Sequence, residues 1–194
     1  NAKGVPLFDV ETGQAGEQPV FIAGDVTHER PLLHEAADAG RLAGDNASRF
    51  PELRERQRKV PLAIVFTDPQ IALVGEPYAE LRERGAHFEA GEVSFDDQGR
   101  SRVTARNRGL LRVYGEHGTG RFLGAEMIAP AGEHLAHLLA WAAQQQMTVQ
   151  AMLDCPYYHP VIEEGIRTAL RVLNRRLRRG PAPIEHCLDC GPGG

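Results

Sequence analysis

The stretch Cys155-Pro156-Tyr157-Tyr158-His159-Pro160-Val161-Ile162-Glu163-Glu164 places an imidazole directly before a proline, with two acids close behind. Proline suits the first position of a helix, because that position needs no amide donor and has the φ angle of proline. We therefore predict that a helix begins at Pro160 and that His159 stands just outside it. Either Glu163 or Glu164 could then reach back to the imidazole and support its protonated form for acid–base chemistry. Alternatively, His159 caps the helix and both acids only complement the helix dipole.

The residues after this stretch predict a helix with one apolar face. Its apolar positions recur at helical spacing, at Ile162, Ile166, Ala169, Leu170, Leu173 and Leu177. Another helix is predicted from Gly132 onward, and a shorter one over residues 78–84. Extended segments are predicted earlier in the chain, at residues 60–66, 70–74, 88–95, 102–106, 110–114 and 122–128. Strands followed by helices predict an α+β fold, in which flanking helices cover a sheet.

The first sixty residues have a different pattern. Residues 20–23 are apolar and predict a short buried strand that ends at Gly24 and Asp25. Open α/β sheets place ligand-binding groups at such strand ends, so Asp25 is a candidate ligand contact, although it could equally be a turn or cap residue. A helix over residues 31–50 has a face of small residues. The charged run at residues 51–59 predicts a connector between domains.

Composition narrows the classes of partner. A formal charge of −4 and 42% hydrophobic residues allow a substantial core and predict neither nucleic acid nor a membrane surface as partner. No apolar run approaches the roughly 20 residues of a membrane span, so we expect a cytoplasmic protein. Of the three cysteines, Cys155 is expected to be a buried small residue. The tail pair Cys187 and Cys190 could support redox exchange, form half of a zinc site with His186 as a third ligand, or have no function.

Three motifs follow one another along the chain. They are Phe21-Ile22-Ala23-Gly24-Asp25-Val26, then Phe66-Thr67-Asp68-Pro69-Gln70-Ile71-Ala72-Leu73-Val74-Gly75, and finally His159-Pro160 with Glu164 five residues after the histidine. Together they resemble the flavin-dependent pyridine nucleotide-disulfide oxidoreductases, and among these the dihydrolipoamide dehydrogenases most closely. The chain has no G-x-G-x-x-G after a strand and no C-x-x-x-x-C pair. The resemblance therefore implies a C-terminal fragment of the family protein, which we expect to be inactive alone.

The resemblance implies a division of the chain into domains. Residues 1–59 correspond to the end of an FAD-binding domain and its connector. Residues 60–180 correspond to the dimerisation domain, with a mixed or antiparallel sheet and flanking helices. Residues 181–194 form the tail that carries the C-x-x-C pair.

Individual residues gain implied roles in the same way. His159 is expected to be the acid/base for the partner subunit's redox disulfide, with Glu164 as its orienting partner. Pro160 is expected to follow a cis peptide bond and to approach the partner's flavin. Asp25 is expected to bind the ribityl chain of the flavin, whose ring lies near the start of the next helix, at Leu32, Leu33 and His34. His34 could also be an ordinary solvated residue of that helix.

The implied enzyme is a homodimer, joined through residues 60–180, that uses FAD and NAD. It passes electrons between a nicotinamide, a flavin and a disulfide such as lipoamide, as dihydrolipoyl dehydrogenase does. A glutathione or mercuric reductase-type relative is an alternative, as is a non-catalytic dimerisation module. A thiol or metal function that depends on the tail is a further alternative.

Overall fold

The computed structural model describes residues 4–178. The tail cysteines Cys187 and Cys190, predicted as a redox or metal pair, lie outside the described residues. The chain divides into two units between Lys59 and Val60, and each is described by itself. That the first unit is the end of a flavin domain remains a prediction.

A five-stranded sheet forms the second unit, in the order β1-β2-β5-β4-β3. Every pair of neighbouring strands is antiparallel, which decides between the mixed and antiparallel alternatives. The strands alternate between residues that face a buried core and residues that face outward, as antiparallel sheets do. Their bounds are Leu62–Val65 (β1), Gln70–Gly75 (β2), Phe88–Ser94 (β3), Leu110–Glu116 (β4) and Phe122–Ala129 (β5).

Helices complete both units. In the first unit a 3₁₀ turn, Asp25–Thr27, precedes α1, Leu33–Arg49. In the second unit the helices are Tyr78–Glu83 (α2), Gly99–Val103 (α3), Gly132–Gln144 (α4), Val149–Leu153 (α5) and Glu164–Arg176 (α6). No helix in the described part of the chain combines the length and the apolar composition that a membrane crossing needs.

The core lies between one face of the sheet and two helices. Helix α6 packs on β3 and β4, and α4 packs on β1, β2 and β5. Leu111, Val113, Leu139, Leu170 and Leu173 are all buried in this layer. The predicted apolar face of α6 is therefore the face that packs against the sheet. The predicted α+β fold is confirmed.

The opposite, outward face of the sheet is only partly covered. Helix α2 shields one end of it, where Leu81, Tyr114 and Leu123 form a second, smaller apolar cluster. At the other end the side chains of neighbouring strands are exposed and apolar, at Val65, Ile71, Leu73 and Ile128. The register places Ile71 opposite both Val65 and Ile128. We call these four residues the outer apolar row.

Three local predictions were wrong. Residues 102–106 were expected to form a strand, but Gly99–Val103 is the short helix α3, because the Gln98 side chain caps it by accepting from the Ser101 amide. Residues 20–23 form no strand, since Phe21 makes only an isolated bridge to Gln14. The last helix begins at Glu164 rather than Pro160, because residues 160–163 form a turn that the Glu164 carboxylate holds.

Candidate functional site

The His159 imidazole and the Glu164 carboxylate form a hydrogen-bonded pair at the start of α6. Nδ1 of His159 lies 3.0 Å from Oε1 and 3.2 Å from Oε2 of Glu164. The Glu164 side chain is 1% exposed, whereas that of His159 is 58% exposed. A buried carboxylate next to Nδ1 favours the tautomer with its proton on Nδ1. The nitrogen left for proton exchange is therefore Nε2.

Two further groups hold the Glu164 carboxylate. The Val161 amide donates to Oε2 over 3.1 Å, so the turn before the helix folds back onto its first residue. Arg167, one helical turn later, donates to Oε1 over 3.3 Å. Arg167 also lies over the Tyr157 ring, with its guanidinium carbon 5.3 Å from the ring centroid. The carboxylate is thus held from three directions, by His159, Val161 and Arg167.

Of the four residues before His159, Tyr157 is half-buried and the other three are exposed. The Tyr157 hydroxyl donates to the Met152 carbonyl over 3.2 Å. Burial, together with the nearby Cys155 thiol, raises the pKa of Tyr157 to about 12, and Arg167 opposes this rise. Cys155 itself is exposed, so the expectation that it is a buried small residue was wrong. Its thiol points toward the Ala151 carbonyl, 3.4 Å away, at the surface rather than into the core.

The His159–Pro160 peptide bond is cis, as the resemblance implies. Beside it, helices α4 and α5 and the segment before His159 line an apolar groove of about 500 Å³. Exposed aromatic side chains, Trp141 and Tyr158, stand on its rim. The imidazole is therefore presented next to a surface that favours an apolar neighbour.

The residues predicted to contact a flavin lie at the start of α1 and in the turn before it. Asp25 is exposed and opens the 3₁₀ turn, directly after Gly24 with its φ of 85°. Leu32 is the N-cap of α1 and makes no side-chain capping hydrogen bond. Leu33 and His34, in the first turn, are exposed. The predicted contacts thus cluster at one end of this unit.

An ion-pair network secures α1 to the charged segment that follows it. The Glu35 carboxylate is buried, and it pairs with Arg56 and, over 3.5 Å, with Arg30. Lys59 hydrogen-bonds Asp38 over 2.5 Å and thereby lowers the pKa of that carboxyl group. The segment predicted as a solvated connector therefore has a structural role. Among residues 4–178, no group of three or more His, Cys, Asp or Glu residues could hold a metal ion.

Sequence reasoning missed two residues of the site. Arg167 follows Glu164 at the i, i+3 spacing that brings helical side chains together, so its contact could have been found. Gln98 donates from Nε2 to the Val161 carbonyl over 2.9 Å. No sequence signal could have found that contact, because 63 residues separate its partners.

Comparison with known proteins gives the family. The sequence model of the pyridine nucleotide-disulphide oxidoreductase dimerisation domain matches residues 61–170. The chain belongs to this oxidoreductase family. The resemblance carried by the three motifs is confirmed, and the matched range contains the sheet, helices α2 to α5 and the His159–Glu164 pair.

Relatives within the family differ in their named activities. The chain is 29% identical to a mercuric reductase of Acidithiobacillus ferrooxidans over 180 residues, which are 92% of this chain and 32% of the relative. It is 31% identical to a dihydrolipoyl dehydrogenase of Haloferax volcanii over 151 residues, which are 77% of this chain and 31% of the relative. The chain thus spans about a third of the length of these relatives.

Solved structures share the fold. The HOCl-induced flavoprotein disulfide reductase RclA from Escherichia coli matches with a TM-score of 0.76 at 21% identity, over 89% of this chain and 40% of that one. LpdA from Mycobacterium tuberculosis matches with a TM-score of 0.73 at 24% identity, over 86% of this chain and 36% of that one. The architecture of the dimerisation domain is therefore common to the three proteins.

Proposed function

We propose that this chain provides the homodimer interface and the acid–base pair of a flavin-dependent disulfide oxidoreductase, most closely of the dihydrolipoyl dehydrogenase type. The observation that carries the proposal is the exposed His159 imidazole whose Nδ1 contacts the buried Glu164 carboxylate at 3.0 Å. Acid–base residues of this kind need a fixed tautomer, a carboxylate partner and an accessible nitrogen. This pair has all three.

Thiol–disulfide exchange supplies the reason for the pair. A thiolate is the attacking species, so a dithiol substrate must lose a proton before it can open a disulfide. In the proposed step Nε2 of His159 takes the proton from one substrate thiol, and the resulting thiolate attacks a disulfide sulfur. The S–S bond breaks, the other sulfur leaves as a thiolate, and Glu164 stabilises the imidazolium meanwhile. In the reverse direction His159 returns the proton.

The disulfide in that step comes from the partner subunit in our proposal. Cys155 is the only cysteine within residues 4–178, so the disulfide of the proposed step lies outside these residues, and the family resemblance implies the partner subunit. The outer apolar row gives the second unit a face suited to a second copy of the chain, since exposed apolar rows of this kind favour association. Residues 60–180 would thus build the dimer, and each His159 would serve the other subunit.

In our proposal the first unit holds one end of an FAD. Gly24, directly before Asp25, has a φ of 85°, a backbone conformation that glycine adopts without strain. Asp25 would accept hydrogen bonds from hydroxyls of the ribityl chain. The uncapped amides of the first turn of α1, next to Leu32, Leu33 and His34, would favour an electron-rich ring edge. The flavin, when bound, supplies electron transfer between NAD and the disulfide.

Two observations bear on the substrate. The His159–Glu164 pair suits a dithiol such as dihydrolipoamide, because an accessible imidazole nitrogen beside a carboxylate would accept a thiol proton. The similarity to mercuric reductases supports mercuric ion as the second candidate. Dithiol chemistry also needs a compartment that keeps thiols reduced, so we place the enzyme in the cytoplasm.

The test uses the full-length protein that contains this chain, assayed with NADH and lipoamide, glutathione disulfide or mercuric ion. We expect flavin absorbance, a dimer, and turnover of lipoamide. His159→Gln should lower kcat by about 10²- to 10⁴-fold, the usual contribution of a general acid–base. Glu164→Gln should lower it by less, since the imidazole remains. Glu163→Gln is the matched control, because Glu164 and not Glu163 contacts His159.

Each alternative predicts a different result. Turnover of mercuric ion but not of lipoamide would transfer the proposal to the mercuric reductase type. A wild-type protein without flavin and without turnover of any of these substrates would leave the non-catalytic dimerisation module. Equal activity of His159→Gln and the wild type would remove His159 from the mechanism.

A further inference from the structure

The connection between β3 and α3 lies against the segment that carries His159. Its last residue, Gln98, is the N-cap of α3; it is 5% exposed and uses both ends of its amide. The Nε2 group donates to the Val161 carbonyl over 2.9 Å. The Oε1 atom accepts from the Ser101 amide over 2.8 Å and from the Ser101 hydroxyl over 3.0 Å. Gln98 therefore joins a helix cap to a turn far away in sequence.

A second contact from the same connection reaches the first turn of α6. Phe95 is fully buried, and a Cβ added to Gly165 would lie 2.8 Å from Cε1 of its ring. Gly165 directly follows Glu164. The Phe95 ring thus limits how closely the first turn of α6 can approach the core. Only a glycine at position 165 leaves room for the ring at this distance.

Together these contacts define the position of the acid–base pair. Gln98 holds the carbonyl of Val161, while the amide of the same residue donates to Glu164 over 3.1 Å. A residue held at both its carbonyl and its amide has little freedom to rotate. The orientation of the Glu164 carboxylate toward His159 follows from that restraint.

We propose that Gln98 is a positioning residue for the His159–Glu164 pair. The proposal rests on the proposed function, since positioning matters only if the pair transfers protons. A primary amide is the side chain that this place requires, because it donates and accepts at once without a buried charge. An ionised glutamate keeps the acceptor and loses the donor.

That difference supplies the test. Gln98→Glu retains an acceptor for Ser101 but leaves the Val161 carbonyl without its donor. Ser101→Ala is the matched control, because it removes one donor to Gln98 and leaves the bond to Val161 in place. In the full-length enzyme we expect Gln98→Glu to lower kcat by roughly 10- to 100-fold, as small misplacements of a catalytic group do. KM, flavin content and dimer mass should stay as in the wild type, and Ser101→Ala should keep its kcat.

A second readout does not depend on turnover. Long-range ¹H–¹⁵N spectra of the 194-residue chain report the protonation and tautomer of the His159 ring. We expect the wild type and Ser101→Ala to share one set of ring nitrogen signals and Gln98→Glu to differ from both. If Gln98→Glu does not fold, Gln98→Met replaces it in both measurements, since methionine has a similar shape and no polar group.

The outcomes separate the two proposals. An equal loss of kcat in Gln98→Glu and Ser101→Ala would make Gln98 a structural cap of α3 and overturn the positioning role. Unchanged ring signals in Gln98→Glu would overturn it as well. A wild-type enzyme that does not reduce disulfides would refute the proposed function, while the ring signals would still decide whether Gln98 positions the pair.

Discussion

Replacing Gly91 by alanine would test how closely α6 is seated on the sheet. Gly91 lies in β3 on the face toward α6. A Cβ at this position would collide with the Ala169 carbonyl oxygen and would lie 2.6 Å from both Cβ and the amide nitrogen of Leu173. Two of these three atoms are backbone, so they can move only if the helix moves.

The magnitude follows from two opposing effects. Carbon atoms in good contact are about 3.5–4.0 Å apart, so α6 would have to shift by about 1 Å. Overpacking of this kind costs about 1–3 kcal/mol, and the rigid neighbours place Gly91→Ala near the upper end. Alanine restores about 0.5–1 kcal/mol by reducing the entropy of the unfolded chain. We expect a net loss of about 2 kcal/mol in the free energy of unfolding.

Gly115→Ala is the matched control. Gly115 lies in the neighbouring strand β4 and faces the same layer, but its Cβ would meet the ends of flexible side chains, of which the nearest is Cδ1 of Leu177 at 3.0 Å. Such methyl groups can move aside, so the overpacking cost of the added Cβ should be small. The entropy gain from replacing glycine by alanine should nearly cancel it.

Urea denaturation measures the free energy of unfolding of both variants. Unfolding is followed by far-UV circular dichroism and by the fluorescence of the only tryptophan, Trp141. If Gly91→Ala and Gly115→Ala unfolded at the same urea concentration and with equal m values, the close packing of α6 on β3 would be refuted.

Three other predictions concern separate parts of the chain. Burial raises the pKa of Tyr157 from 10.0 to about 12, so the folded state holds this proton more tightly than the unfolded state. The free energy of unfolding should therefore fall as the pH rises from 10 to 12. Tyr157→Phe should reduce that fall in denaturation curves measured across this pH range. The Asn46 amide is fully buried and bonds the carbonyls of Thr12 and Arg54, so Asn46→Ala should destabilise the first unit by roughly 2–4 kcal/mol, seen as faster hydrogen exchange in α1. Ile128→Asp puts a charge into the outer apolar row, so the chain should sediment as a monomer instead of a dimer. Val103→Asp, at an exposed position of α3, should leave the dimer intact. A monomeric wild type would contradict the proposed interface.

Periodic patterns in the sequence predicted the parts of the fold that burial decides. Ile166, Ala169, Leu170 and Leu173 recur at helical spacing, and all are buried. This agreement has a simple cause, since an amphipathic helix must place its apolar face against the core. The strands of the sheet were found for the same reason.

Local sequence patterns gave wrong predictions where contacts between distant residues determine the backbone conformation. The alternation at residues 102–106 is typical of a strand, yet the Gln98 cap makes a helix at Gly99–Val103. Pro160 suits a helix start, yet the helix begins at Glu164. The choice between Glu163 and Glu164 could not be made from spacing, because it depends on the path of the turn between His159 and α6. That path depends on contacts with a segment some sixty residues earlier.

The strand order has a consequence for synthesis of the protein. β5 is the last of these five strands to be made, and it lies in the middle of the sheet, between β2 and β4. Until Phe122–Ala129 has been synthesised, the β1–β2 and β3–β4 pairs cannot join, and each keeps an open edge that can pair with another chain. Joining them also requires closure of the long loop between β2 and β5, which slows folding. A nascent chain that stalls before β5 is therefore the form of this protein most exposed to aggregation and to proteases.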